Sequence, residues 1–400
     1  MELAGTIYLR PQRAKPFWCG HPLVYSGAVG RLEGRAEAGD FVRVCDHEGR
    51  EIGVGAFNPY SDYRVRLLRW SSEGGGEEDV EALVARRVRE ARTLRAALGL
   101  PSGECSVYRL LNSEGDRCSG LTVDWYGSVE EVEKSVAVVV SSAFWVERYR
   151  AVISGVLERE LQPARICWRQ SRGPLEQDGW KECREGEGGG ERIVVSEHGV
   201  RYVVEAGGGQ KTGFYCDQRE NRLIVRRLAR GRRVLDGYCY TGAFALNAAI
   251  GGAASVVGID TSETAVTIAR ANAALNGLSA VRFERADVRR YLMQEGTYDM
   301  IILDPPKLAA KEEQVAKALR VYRELCAGAL RRLSRGGWLV VCSCAAAIGR
   351  EELRRALREA SVEEKRWVCV VMETHAAPDH PVLPAFPEGE YLTCLVCAVM

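Results

Sequence analysis

A chain of 400 residues, 46% hydrophobic and 27% charged, has a soluble globular composition and is too long for one ordinary core, so two or three domains are expected. The 55 Lys and Arg nearly cancel the 54 Asp and Glu, which excludes a global basic footprint; any nucleic-acid surface must be local. No run of 18 apolar residues predicts a membrane span, and MELAGTIYLRPQRAKPFW lacks an apolar export segment. The expectation is a cytoplasmic protein, with chloroplast or mitochondrion as the alternative.

Residues 1–72 read as short strands: TIYLR, LVYSGAV, FVRVCD, EIGVGAF and YRVRLLRW, separated by Gly- and Asp-containing turns. That spacing predicts a small β-barrel, followed by a polar Gly-rich linker at Ser71–Glu78. Between 79 and 181 a helical pattern over Asp79–Leu98 precedes VYRLLN, LTVDWYG and EKSVAVVVSS, and a second helix over Ala143–Leu161. This predicts a small α+β middle domain, closed by a low-complexity linker at Glu182–Glu191.

From 192 to 400 strands and helices alternate: RRVLDGY, AFALNAAI, SVVGID, a helix over Ser262–Leu275 capped by Thr261 or Ser262, then VRFERAD, YDMIILDPP and GWLVVCSC. Near-continuous apolar strands indicate a parallel sheet covered on both faces, a doubly wound α/β domain completed by WVCVVMET and YLTCLVCAV. The 14 cysteines are scattered through apolar runs and read as reduced thiols. Cys394 and Cys397 form a C-x-x-C, but within a strand an offset of three puts them on opposite faces, with no His at zinc spacing; no metal site is expected.

Ligands of an open parallel sheet bind outside the carboxyl ends of its strands. Here those ends carry Asp236, Asp260, Asp287, Asp304 and Cys344. Gly242 opens the turn after Asp236, in a loop with too few glycines for a dinucleotide fingerprint and no Lys-Ser/Thr for a P-loop. Asp260 ends the second strand 24 residues on, where a carboxylate can accept ribose hydroxyls; helix capping is its alternative role, and equally that of Asp287. Asp304 precedes Pro305 and Pro306, a stiff extended pair against which a base can lie flat. Cys342 and Cys344 share a face by alternation, Cys344 nearer the carboxyl end and followed by three alanines that leave room for a planar substrate.

These residues together resemble the ribosomal RNA large-subunit methyltransferase I family over nearly the whole chain. HPLVYSGA (His21–Ala28) resembles the opening of that family's N-terminal PUA domain, RLLNSEGD (Arg109–Asp116) with GLTVD (Gly120–Asp124) its middle domain, and KTGFYCDQRENR (Lys211–Arg222) its most specific string. DHPV (Asp379–Val382) and EGEYL (Glu388–Leu392) resemble its C-terminal ending. The resemblance implies a PUA β-barrel, an α+β domain and a class I, Rossmann-like methyltransferase domain that uses S-adenosyl-L-methionine to make 5-methylcytosine in 23S-type rRNA. It implies that Asp236 and Gly242 line the methionine side of the cofactor, that Asp260 takes the ribose and Asp287 the adenine, and that Gln218 belongs to the cofactor site. Asp304, Pro305 and Pro306 would meet the target base, and Cys344 would be the nucleophile. Arg64, Arg66 and Arg69 would contact the RNA backbone. The chain departs from the family at Ser343-Cys344-Ala345, where Ser-Cys-Ser is usual, at Ala346 and Ala347, at Ser113 and at Thr393. Two other readings stay open: methylation of an exocyclic amine, and an inactive RNA-binding ribosome-assembly factor. A homodimer is left open as well.

Overall fold

The structure, a computed structural model, describes residues 3–74, 78–131, 133–182, 190–208, 212–309 and 312–400. Parts of both expected linkers, and Lys211, lie outside the described residues. The chain folds into two compact units: Met1–Val195 with Val204–Cys216 and Pro378–Gly389, and Ser196–Val203 with Asp217–Ala377 and Glu390–Met400.

In the first unit, β1 (Gly5–Leu9), β2 (Leu23–Tyr25), β3 (Val29–Gly34), β4 (Phe41–Cys45), β5 (Glu51–Phe57) and β6 (Tyr63–Trp70) form a sheet in the order β2-β6-β5-β4-β1-β3. A short helix, α1 (Lys15–Trp18), follows β1; neither it nor β3 stands out in the sequence pattern. Strand alternation serves two cores at once. Val42, Val44, Ile52, Val65 and Leu67 face one cluster with Ile7, whereas Phe41, Val54, Ala56 and Leu68 join a second. That second cluster contains Leu83, Val84 and Val88 of α2 (Val80–Ala97), whose first turn is capped by Asp79 accepting from the Ala82 N–H at 2.7 Å.

The four-stranded sheet of this unit runs β10-β9-β8-β7, from β7 (Val107–Asn112), β8 (Leu121–Gly127), β9 (Ser135–Ser141) and β10 (Arg165–Gln170). The helix expected over Ala143–Leu161 is two helices, α3 (Phe144–Arg148) and α4 (Arg150–Leu161), parted at Tyr149. Then follow α5 (Arg172–Gln177) and a hairpin of β11 (Glu191–Glu197) and β12 (Val200–Ala206), whose residues divide between the two units.

The second unit holds α6 (Arg219–Leu228), β13 (Arg233–Gly237), α7 (Ala243–Ile250), β14 (Ser255–Asp260), α8 (Glu263–Leu275), β15 (Val281–Arg285), α9 (Val288–Tyr291) and β16 (Tyr298–Leu303). It continues through α10 (Val315–Arg332), β17 (Leu333–Ser343), α11 (Arg350–Glu363), β18 (Val368–Thr374) and β19 (Thr393–Val399). Among the described residues its sheet runs β15-β14-β13-β16-β17-β19-β18, parallel from β15 to β17 and antiparallel where β19 meets β17 and β18. Ser262 caps α8, accepting from the Ala265 N–H, which settles the Thr261-or-Ser262 choice. The order reverses at β13 and β16: from β13 the chain first builds outward through β14 and β15, then returns to β16. A crevice at such a switch point is where this sheet type binds ligands.

Candidate active site

β13 and β16 pair with Asp236 opposite Ile302 and Gly237 opposite Leu303, and Leu303 in turn pairs with Val341 of β17. This register brings the ends of the three strands together. Asp236 is fully buried; one carboxyl oxygen accepts from the Ala245 N–H of α7 at 2.9 Å, and the other, Oδ1, has no hydrogen-bond partner among the described residues. Burial, reinforced by the negative charges of Asp304 and Asp260, pushes its pKa well above the usual carboxylate range.

The loop that follows is held in an uncommon conformation. Tyr238 and Tyr240, neither of them glycine, have φ of 65° and 48°, and Gly242 has φ of 86°. Positive φ on a bulky residue costs energy and persists only where the surroundings enforce it. Here the Tyr240 N–H donates to Asp260 Oδ2 at 3.0 Å, the Cys239 N–H to the Ile259 carbonyl at 3.0 Å, and the Gly242 N–H to the Cys239 carbonyl at 2.7 Å. Asn272 Nδ2 donates to the Thr241 carbonyl at 3.0 Å. Gly242 is required here for a reason the sequence did not expose: a Cβ would lie 2.7 Å from the Phe283 ring.

Asp260 receives the Ser262 N–H on Oδ1 at 2.9 Å as well as Tyr240 on Oδ2, so it braces the loop and the start of α8 together. Asp287 is the N-cap of α9, accepting from the Arg290 N–H at 2.9 Å. Capping thus occurs for Asp287, whereas α8 is capped by Ser262 and Asp260 holds the turn that leads into it. These roles use one bond per oxygen of Asp260 and one oxygen of Asp287, and a carboxylate oxygen can accept a second. Tyr238 lies near both carboxylates; burial first, then Asp287, raises its hydroxyl to about 12.

Asp304 is half-buried just beyond β16, followed by buried Pro305 and exposed Pro306. Cys344, half-buried, lies one residue past the end of β17, with its Sγ 4.0 Å from the Pro305 carbonyl oxygen. Cys342 differs: it is fully buried opposite Cys394 on β19, and that neighbouring thiol together with burial pushes its pKa well up, the state of an inert core thiol. The buried Gln218 side chain hydrogen-bonds to Cys342 and accepts from Asn221 Nδ2 at 2.6 Å. Tyr322 of α10, fully buried, sits close enough to Ser343, Cys344 and Asp304 for all three to act on its hydroxyl, which burial raises above its ordinary range. Sequence reasoning passed over it. The available signal was a polar tip on the buried face that carries Leu319, Leu325 and Cys326.

The arginines expected at the RNA are less uniform. Arg66 is buried, donating to Ser119 Oγ at 3.0 Å and lying 3.6 Å from Glu114 and 3.5 Å from Asp178. Its guanidinium holds β6 to the residues flanking β8 and α5. Arg64 is half-buried and donates to the Asn58 and Pro59 carbonyls, and Arg69 lies 3.9 Å from Glu51.

The strand-end cradle fits a nucleoside bearing a cationic amino-acid arm. Among the described residues buried Asp236 Oδ1 lacks a partner, Asp260 lies on the neighbouring strand end, and Asp287 follows the strand beyond. Among the described residues no group of three or more acidic, His or Cys side chains is arranged to hold a metal ion. No described helix is long and apolar enough to cross a membrane.

Comparison with known proteins agrees with this arrangement. Residues 175–385 match the family described as S-adenosylmethionine-dependent methyltransferase, and residues 7–70 a PUA-like domain. The ribosomal RNA large subunit methyltransferase I of Erwinia tasmaniensis is 35% identical over 403 residues, covering 98% of this chain and 99% of that protein. Its namesake from Shewanella denitrificans is 35% identical over 407 residues, covering 99% and 100%. Among solved structures, a SAM-dependent methyltransferase from Streptococcus mutans superposes with a TM-score of 0.78 at 18% identity, covering 98% of this chain and 99% of that one. A methyltransferase complexed with SAH does so with a TM-score of 0.80 at 19% identity, covering 99% and 100%. At those identities the structural likeness speaks for the fold, while the full-length sequence relationship carries the descent. The chain is an S-adenosylmethionine-dependent methyltransferase and belongs to the ribosomal RNA large subunit methyltransferase I family.

Proposed function

We propose that this protein methylates C5 of a cytosine in large-subunit rRNA, with Cys344 as the nucleophile. The observation that carries this reading is the pairing of a half-buried thiol at the end of β17 with the Asp304-Pro305-Pro306 turn at the end of β16, 4.0 Å separating Sγ from the Pro305 carbonyl. An amine methyltransferase has no use for a thiol at that position. Family membership supports the rRNA substrate, since its relatives bear that name.

Cytosine C5 is a weak nucleophile. In the proposed sequence the Cys344 thiolate adds to C6, and the electron pair moves so that C5 becomes enamine-like. Asp304, bearing or sharing a proton, holds the N3/N4 edge and stabilises the charge that develops there. Bound S-adenosylmethionine supplies the electrophilic methyl group that C5 takes up. A base then removes the C5 proton, the C5–C6 double bond re-forms, and Cys344 leaves as thiolate. Pro305 and Pro306 offer a stiff, flat wall for the base, which must be unstacked for a thiol to reach C6. Asp236, Asp260, Asp287, Gln218 and the loop through Gly242 are assigned to the cofactor, Asp236 Oδ1 receiving its ammonium group. Arg64 is kept as a backbone contact and Arg66 is not. The division into segments 1–72, 79–181 and 192–400 is retained as a functional one: RNA grip, spacer and catalysis.

RNA carrying 5-fluorocytidine at the target tests the covalent step. Fluorine cannot leave as a proton does, so the adduct accumulates and migrates as a protein–RNA complex under denaturing conditions. Absence of that complex, with methyl transfer to ordinary RNA intact, would refute the nucleophile.

A further inference from the structure

The first unit contains a cavity of about 430 Å³ lined by Arg13, Pro16, Phe17, His21, Tyr25, Gly27 and Ala28, between α1 and β2. Its size falls within the range of roughly 300–1,000 Å³ typical of small-ligand pockets. Three of its walls are aromatic: Phe17 and His21 have ring centroids 6.0 Å apart, and so do His21 and Tyr25. The scaffold behind them is fixed. Phe17 is buried, Trp70 Nε1 donates to its carbonyl at 3.1 Å, and His21 packs edge-on to Phe386 at 5.5 Å. His21 Nδ1 meets the Leu23 N–H at 3.2 Å, which turns Nε2 toward Glu388, 3.9 Å away. That histidine gives the cavity one polar edge. Tyr25, by contrast, is 41% exposed, and neighbouring Trp18 is 45% exposed.

Charge is one-sided here although the chain as a whole is nearly neutral. Residues 3–32 contain Arg10, Arg13, Lys15 and Arg31 and no Asp or Glu, although Arg31 is paired with Glu33 just beyond. Arg13 and Lys15 are exposed, and neither has a side-chain partner among the described residues. Glu388 lies 3.9 Å from His21, and no acidic residue is among the described residues lining the cavity. Aromatic faces beside unpaired cations form a stacking platform for single-stranded nucleic acid, whose unstacked bases have free faces where those of a continuous helix do not.

We propose that this cavity receives a single unpaired nucleotide of the RNA, its base among the rings of Phe17, His21 and Tyr25 and its phosphate against Arg13. The proposal rests on the RNA substrate argued above, and it concerns a nucleotide other than the one at Cys344. It gives the N-terminal region a means of choosing a place on folded RNA, since a bulge or loop supplies such a nucleotide and a continuous helix does not.

The test uses the full-length protein and a hairpin RNA with one bulged 2-aminopurine, beside the same hairpin fully paired. Wild type is expected to bind the bulged hairpin more tightly and to quench 2-aminopurine fluorescence by stacking. Tyr25→Ala should weaken binding about tenfold and relieve the quenching, while Tyr25→Phe, which keeps the ring, should behave as wild type. Arg13→Ala should weaken binding and make its salt dependence shallower. Unchanged thermal midpoints and S-adenosylmethionine affinity exclude misfolding as the cause. If Tyr25→Ala and Arg13→Ala bind both hairpins as wild type does, the cavity is not a nucleotide site. That result alongside intact methyl transfer to rRNA overturns this inference alone; wild type that neither binds nor methylates RNA overturns the functional reading with it.

Discussion

Replacing Gly242 by alanine separates two reasons for a glycine at the mouth of the site. If the residue merely lets a ligand approach, the apo protein should tolerate a methyl group. The structure says otherwise. At φ of 86° an L-residue carries left-handed strain of about 1–2 kcal/mol. The added Cβ would meet Phe283 Cζ at 2.7 Å and Cε1 at 2.9 Å, and Ala269 Cβ at 3.1 Å. Phe283 cannot swing aside freely, because the α-carbon of Gly258 already lies under the same ring; a Cβ there would be 2.6 Å from it. Overpacking of this kind costs about 1–3 kcal/mol, so Gly242→Ala should destabilise the second unit by about 2–5 kcal/mol in total. Urea denaturation followed by probes in that unit measures this. In a Phe283→Leu background the steric part should largely vanish, leaving about 1–2 kcal/mol of backbone strain. A loss below about 0.5 kcal/mol, the range of surface substitutions, or an identical loss in both backgrounds, would refute the reasoning.

Arg66→Ala should destabilise the first unit by about 3–5 kcal/mol, because it strands Asp178 and Glu114, whereas Arg66→Met should cost less; calorimetric or urea unfolding distinguishes them. An Arg66→Ala protein of wild-type stability but weakened RNA binding would reinstate the RNA contact. Binding of S-adenosylmethionine should release a proton, since burial keeps Asp236 protonated above the usual carboxylate range and a cofactor ammonium favours its ionised form. Affinity should therefore rise with pH up to the raised pKa of the free protein and level off above it. Calorimetry in buffers of different ionisation enthalpy reads that proton, which Asp236→Asn should abolish; pH-independent binding by wild type would contradict the assignment.

Much of the methyltransferase sheet is legible in the sequence because its signals are local. Apolar runs ending in Asp mark β13, β14 and β16, and the pattern over Ala243–Ile250 matches α7 residue for residue. The resemblance in Lys211–Arg222 also pointed to the family that the full-length relatives bear out. What the pattern concealed depends on packing between distant segments. Arg66 reads as one of three basic residues on an exposed strand, yet Ser119, Glu114 and Asp178 close over it from positions about 50 and 110 residues away. Gly242 reads as ligand clearance, but its constraint comes from Phe283 on another strand. Tyr322 looks like core until α10 is seen to bring it under the end of β17. The strained backbone at Tyr238 and Tyr240 has no sequence signature, since tyrosine is not a residue that favours positive φ.

The most direct measurement is methyl transfer from radiolabelled S-adenosylmethionine to large-subunit rRNA lacking its modifications, by wild type and Cys344→Ala, with the labelled nucleoside identified. The account predicts labelled 5-methylcytidine from wild type and none from the variant, although both bind the cofactor equally. A labelled exocyclic amine, or carbon methylation that survives in Cys344→Ala, would contradict it.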